Sequence, residues 1–385
     1  MKQSLPIPAK KARRRRRRRW IALGICLLLV VPAISYVRAL LYPGNATFAV
    51  RSVEWVRDHG GGKIIDTIET WKFSRQAPPA TGNPSDIPAA APAAGTAGKA
   101  APTPGQLASL PKVSLLPGVK PLAHEGVWSP ARQGAGGKSL LWTTWLRPDP
   151  GHLPVTAAAA LIPQGSDIVR LMPGTREPVV GMASKNGYSV PSSAVPGLVA
   201  VFNAGFKMHD SKSGWYTTEA GAAVPLVDGR ASAVIDRNGV VRIGAWNQTV
   251  RMSPDVVAVR QNLDMVITNG KIAGGLADNA TGAWGSTRSQ FEYTWRSALG
   301  TDAKGNLIYV AGNGLTLATM ASAMHQAGIV NGMELDIHSA MVSFNIEQPV
   351  GNLSVNNRKL LPSMSSPADR YLQADQRDFF YVVAR

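Results

Sequence analysis

The stretch Met333 to His338 limits what this chain can fold into more than any other. Met333, Leu335 and Ile337 alternate with Glu334, Asp336 and His338. Side chains along a strand have a period of two, so the apolar set points one way and the polar set the other. The residues before it supply the context. Thr294 to Gly300 reads as a strand, Asp302-Ala303-Lys304-Gly305-Asn306 as a turn, and Leu307 to Val310 as a returning strand. Thr316 then caps a helix in which Leu317, Met320, Ala321 and Met324 recur at i, i+3, i+4 and i+7, with Gly328 as its C-cap. The stretch 293–345 therefore predicts strand, turn, strand, helix, strand.

Two readings of the polar face follow. It is either a solvated edge strand or the floor of a site. In a site, crowded carboxylates drive one pKa up and leave one acid and one base. His338 is the only histidine sharing a face with acids, so a divalent metal at Glu334, Asp336 and His338 is chemically possible. The sequence establishes no metal or cofactor.

Other polar residues stand where chemistry could use them. Asn203-Ala204-Gly205-Phe206-Lys207 ends the apolar run Leu198 to Phe202. Asn203 can donate and accept, Gly205 permits a sharp turn or a close approach, and Lys207 is a point charge suited to a phosphate. A strand-ending turn with a solvated lysine is the plainer reading. Arg296 lies among apolar strand residues and needs an anionic partner. That partner is either an acid such as Glu334 or Asp336, or a phosphodiester oxygen gripped by the guanidinium fork. Gly312-Asn313-Gly314 precedes a helix start, so the loop around Asn313 can hold an anion or be a simple connection.

Several of these motifs, in this order, resemble the phosphodiester glycosidase family. They are Val201-Phe202-Asn203-Ala204-Gly205-Phe206, Arg296-Ser297-Ala298-Leu299-Gly300, the Lys304-Gly305-Asn306 hairpin, the Gly314-Leu315-Thr316 helix start and Glu334-Leu335-Asp336. The resemblance covers roughly residues 112–385. It departs in one place: the family follows its Leu-Asp with a run of glycines and a serine, and this chain has Ile337-His338-Ser339-Ala340.

From residue 112 onward, short apolar runs alternate with turn signals. Among the runs are Ser139 to Leu146, Val155 to Leu161, Ile168 to Met172 and Met265 to Ile267. Asp228-Gly229, Arg237-Asn238-Gly239 and Asn269-Gly270 are turn signals. The expected class is α+β, strand-rich, with mixed or antiparallel sheets and few helices. Ahead of it the composition changes three times. Formal net charge is +17, of which Lys2, Lys10, Lys11 and the seven arginines from Arg13 to Arg19 supply ten. The basic excess is thus one short block and does not argue for a nucleic-acid partner. Trp20 to Leu41 is nearly all apolar, about 33 Å long as a helix against a bilayer core of roughly 30 Å. With the arginines before it this run predicts a single transmembrane helix, its N-terminus cytoplasmic and the main domain outside. The lone cysteine, Cys26, falls in that stretch, so no disulfide is expected beyond it.

The expected organisation is a basic cytoplasmic segment 1–19, a membrane helix 20–42 and a juxtamembrane helical segment 43–75 broken at Gly60-Gly61-Gly62. A disordered Pro/Ala-rich linker 76–111 and a phosphodiester glycosidase-like domain 112–385 follow. The resemblance implies hydrolysis of a sugar-1-phosphodiester in a phosphate-linked envelope or exopolysaccharide glycan. In that reading Arg296, Lys207, Asn203, Gly205 and Asn313 hold the substrate, Asp336 and Glu334 are acid and base, and His338 orients or carries a proton. The absent glycine run supports the alternative, a non-catalytic glycan-binding or scaffolding module of the same fold. Transfer in place of hydrolysis, and the oligomeric state, stay open.

Overall fold

The computed structural model describes residues 9–42, 46–75, 77–88, 104–285, 293–350 and 355–385. The chain divides into two units, Met1–Asp66 and Thr67–Arg385.

The first unit is helical. Helix α1 runs Ala9–Leu40 and includes the arginine block, so the helix starts before residue 20. Helix α2, Phe48–Val56, is capped by Thr47, whose side chain accepts from Val50 N. Tyr36 reaches Ser52 at 2.7 Å and meets the Trp55 ring edge-on. Arg51 donates to the Ala46 and Leu40 carbonyls. Gly60, at φ +88°, kinks the chain ahead of α3, Gly62–Ser74. Among the described residues no helix is long and apolar enough to cross a membrane. The fold therefore gives no support of its own to a span over residues 20–42. The side chains of residues 22, 23 and 25–29, Cys26 among them, lie outside the described set, as do residues 1–8 and 43–45.

The second unit is strand-rich with few helices. A short helix α4, Pro104–Ser109, precedes β1 Ser129–Gln133, β2 Ser139–Leu146, β3 Ala157–Ile162, β4 Asp167–Met172 and β5 Leu198–Asn203. After the single turn α5, Met208–Ser211, come β6 Trp215–Thr217, β7 Gly221–Val224, β8 Ala231–Asp236, β9 Val241–Ala245 and β10 Val256–Gln261. Then follow β11 Met265–Thr268, β12 Lys271–Ile272, β13 Thr294–Thr301, β14 Leu307–Leu315 and α6 Leu317–Gln326. The chain ends with β15 Asn331–Ile337, β16 Phe344–Pro349, β17 Val355–Lys359 and β18 Phe379–Ala384.

These strands make three sheets. Their orders are β1-β2-β3-β14-β13-β15-β11-β12, β17-β16-β5-β18-β4 and β7-β6-β10-β8-β9. The pairings between named strands are antiparallel. Two cores flank the eight-stranded sheet, and the strand period assigns residues to each. Ala158 and Ala160 pack with Tyr309 of their own sheet and with Phe202, Phe344 and Phe380 of a facing sheet. Ala157 and Ala159 pack with Leu317, Met320 and Met324 of α6. Small side chains on a central strand let both layers approach closely. The helix expected from Thr316 forms, with Thr316 and Thr319 closing a reciprocal capping box.

Parts of the stretch expected as a spacer bond to this unit. Ala80 O accepts from Leu153 N, Asp86 O from Thr156 Oγ1 at 2.6 Å, and the Asp86 carboxylate from Ser363 N. Ser109 O accepts from Asn306 Nδ2 and Pro111 O from Trp128 Nε1. Residues 89–103 lie outside the described set.

Candidate functional site

The alternation in β15 is interrupted where it matters. Arg296 on β13 pairs with Ile337, and Ala298 pairs with Glu334, so β15 carries one extra residue between these points. Such a bulge resets which way the following side chains point. Glu334 and Asp336 consequently have different surroundings. Glu334 is buried, and its Oε1 accepts from Arg296 Nη1 at 2.8 Å. Arg296 Nε also donates to Leu315 O, beside the α6 layer. Burial outweighs the pull of Arg296 and raises the Glu334 carboxyl. Asp336 faces the other sheets. Its Oδ2 accepts from Arg377 Nη2 at 2.9 Å and its Oδ1 from Ile337 N at 2.8 Å.

Around Asp336 the structure gathers a charged cluster. Arg377 Nη2 also donates to Gly205 O at 2.8 Å. Arg260 grips Asp378 through Nε at 2.8 Å and Nη2 at 3.3 Å, and it also donates to Phe206 O. Arg370 holds Asp375 with two bonds, and Asp375 accepts from Arg377 N. Burial is the largest influence on Asp336 and lifts its carboxyl to about 7, against the opposing pull of Arg377 and Arg260. Glu177, which accepts from Met208 N, is likewise raised by burial and lies within the field of Arg377, Asp378 and Arg260. A carboxyl that titrates near neutrality beside two guanidinium groups can exchange a proton and still tolerate an anionic ligand.

Asn203 and Gly205 contribute through position. Asn203 Nδ2 donates to Ser297 Oγ, and its Oδ1 accepts from Tyr309 OH and Ser343 N. Ser297 Oγ in turn donates to Asp336 O, so Asn203 ties the end of β5 to the Asp336 backbone. Gly205 has φ +151°, and a Cβ there would lie 2.2 Å from Asn262 Oδ1. Only glycine allows the loop to sit on Asn262 and present its carbonyl to Arg377. Lys207 is half-buried at the start of α5. Asn313 is exposed, and its side chain accepts from Gly314 N.

His338 does not join the acids. Its Nδ1 lies 3.2 Å from Thr294 Oγ1 and its Nε2 3.6 Å from Glu69. Glu334, Asp336 and His338 thus have three separate sets of partners, and among the described residues no group of three His, Cys, Asp or Glu could hold a metal ion. His338 has φ +72°. A left-handed bend is therefore kept where the family pattern has glycines, at a cost glycine would avoid. His338→Gly is expected to leave the thermal midpoint unchanged or raise stability by up to about 1 kcal/mol. A clear loss in a melting curve would show that the imidazole contacts outweigh the backbone cost.

Six residues of this cluster escape the sequence reading: Glu177, Arg260, Arg370, Asp375, Arg377 and Asp378. Two signals were available. Arg260 follows the apolar run Val256 to Val259, and Asp375-Gln376-Arg377-Asp378 directly precedes the apolar strand β18. Charges at the mouth of buried strands require partners.

Parts of the chain are similar to known proteins. A zebrafish N-acetylglucosamine-1-phosphodiester alpha-N-acetylglucosaminidase catalytic domain, auto-inhibited by its pro-peptide, is similar at 15% identity. That match covers 69% of this chain and 91% of that one, with a TM-score of 0.39. A hypothetical protein from Synechocystis is similar at 16% identity over 60% of this chain and 59% of that one, with a TM-score of 0.32. No curated protein matches in sequence. The phosphodiester glycosidase family model matches residues 196–361, a narrower span than the resemblance suggested, running from the start of β5 past Asp336. What the chain shares with the phosphodiester glycosidase family is thus the match over residues 196–361, somewhat less than half of its length.

Proposed function

We propose that the protein is a membrane-anchored, extracytoplasmic hydrolase of sugar-1-phosphodiester linkages in envelope or exopolysaccharide glycans. The observation that carries the reading is the Asp336 carboxyl, lifted to about 7 inside a family domain and set against Arg377. Water would add across the linkage and release a reducing sugar and a phosphomonoester. Asp336 would move the proton, a role that works best when the group titrates near the working pH. Arg377, Arg260 and Lys207 would face the phosphodiester charge. Glu177 is the second raised carboxyl near Arg377 and would serve as the partner acid or base. Asn203 and Gly205 would fix the loop that carries the site. The buried Arg296–Glu334 pair would hold the bulged strand, and Asn313 and His338 would stand at the rim.

The test is an assay of the purified full-length protein on a hexose-1-phosphodiester, with and without chelator. Release of reducing sugar together with phosphomonoester is expected. Saturable binding without any release would instead support the non-catalytic module, the reading that the missing glycine run favours. Anchoring through residues 20–42 rests on the apolar run and the arginines before it. A reporter fused after Asp86 should be active only outside the cytoplasm, and activity inside would defeat that part of the proposal.

A further inference from the structure

A cavity of about 320 Å³ lies between β4, β6, β8, β10 and β18, within the volume range of ligand sites. Its walls are of two kinds. Met172, Ile235 and Trp215 are buried and give an apolar floor. Arg170, Thr217 and Asn186 bring a guanidinium, a hydroxyl and a carboxamide; Glu219, which accepts from Lys185 N, and Arg237, which is paired with Asp255, also line it. Arg170 lies opposite Tyr381 across the strands, and its Nη1 donates to Val169 O. No carboxylate pairs with it among the described residues. Trp215 Nε1 is buried and has no acceptor among the described residues. An apolar floor, a polar rim and a guanidinium with no carboxylate at ion-pair distance suit a ligand with a ring face, hydroxyls and one anionic group.

The cavity also adjoins the charged cluster. Trp215 is the cross-strand partner of Arg260. Ala258, which lines the cavity, precedes Arg260 by two residues and so shares its strand face. Pro173 lines the cavity, and the chain runs on from it to Glu177 four residues later. A chain-like ligand seated at Asp336 and Arg377 could therefore extend along this face.

We propose that the cavity binds the adjoining acidic sugar unit of the glycan, with Arg170 on its charged group and Trp215 beside its ring. This rests on the hydrolase reading above for the neighbouring site, and the test separates the two. Full-length wild type, Arg170→Ala and Ala183→Trp, which crowds the cavity mouth, are titrated by calorimetry with glucose 6-phosphate and with glucose. Their turnover is then compared on a methyl and on a phosphohexosyl phosphodiester of the same sugar.

Wild type is expected to bind glucose 6-phosphate at least tenfold more tightly than glucose, and both variants should lose most of that preference. The ratio of kcat/KM for the phosphohexosyl over the methyl substrate should fall at least tenfold in both, mainly through KM. If binding and the ratio match wild type in both variants, the inference is overturned. If wild type turns over neither substrate but keeps Arg170-dependent binding of glucose 6-phosphate, the hydrolase reading fails and the cavity stands as a sugar-phosphate site. If Arg170-dependent binding is absent, the cavity is not such a site, whatever the turnover.

Discussion

Asp336→Asn should fold normally and lose at least about a hundredfold in turnover on a sugar-1-phosphodiester, the low end for general acid–base work. The side chains are nearly isosteric, and the amide oxygen can still accept from Ile337 N, while the amide NH2 gives up the bond that Oδ2 accepts from Arg377 Nη2. What the amide cannot do is take up and release a proton. The pH profile adds a second readout. The folded carboxyl titrates near 7, well above its unfolded value near 3.9, so the folded state binds the proton more tightly. If Asp336 is the proton donor, kcat/KM falls as pH rises through about 7, and that limb is missing in Asp336→Asn. Stability responds with the same sign. The group's contribution is fully present below its unfolded pKa and is lost as pH rises toward the folded value. The variant should therefore melt with a flatter dependence between pH 4 and 7. Unchanged turnover in a protein with a normal melting curve would remove Asp336 from the chemistry.

Legibility followed the physics of each feature. Turn chemistry and apolar periodicity are local, so β5, the β8–β9 hairpin at Arg237-Asn238-Gly239 and α6 were readable to within a few residues. The strand at Met333 to Ile337 was readable too, and Asp336 does sit in the charged cluster. The common face of Glu334 and Asp336 was not, because a bulge is set by the register against β13, which no single strand encodes. Arg377 and Arg260 were missed for a related reason. Their partners Asp336 and Asp378 lie 41 and 118 residues away, so the pairing exists only once the sheets are packed. The expected spacer was read from composition that cannot form a core of its own. Residues 77–88 instead borrow partners, through Leu153, Thr156 and Ser363, which composition does not reveal.

Variants of the pair Arg296–Glu334 decide whether Arg296 works by gripping substrate or by holding the strand. Arg296→Ala should destabilise the protein by about 3–5 kcal/mol, the cost of leaving one partner of a buried pair uncompensated. The loss should grow with pH, since Glu334 then needs a proton to remain buried and gives up stability as pH rises through its raised pKa. Arg296→Lys keeps the charge but not the planar fork that reaches both Glu334 and Leu315 O, so most of the loss should remain. The discriminating protein is the double variant Arg296→Met, Glu334→Leu. Replacing both partners by apolar side chains of similar volume is often neutral or stabilising, so denaturant unfolding should return close to wild type. If turnover returns with it, the pair is structural, and it acts by keeping β15 bulged so that Asp336 faces Arg377. If stability recovers and turnover does not, Arg296 itself meets the phosphodiester, and its bond to Glu334 is the arrangement before substrate arrives.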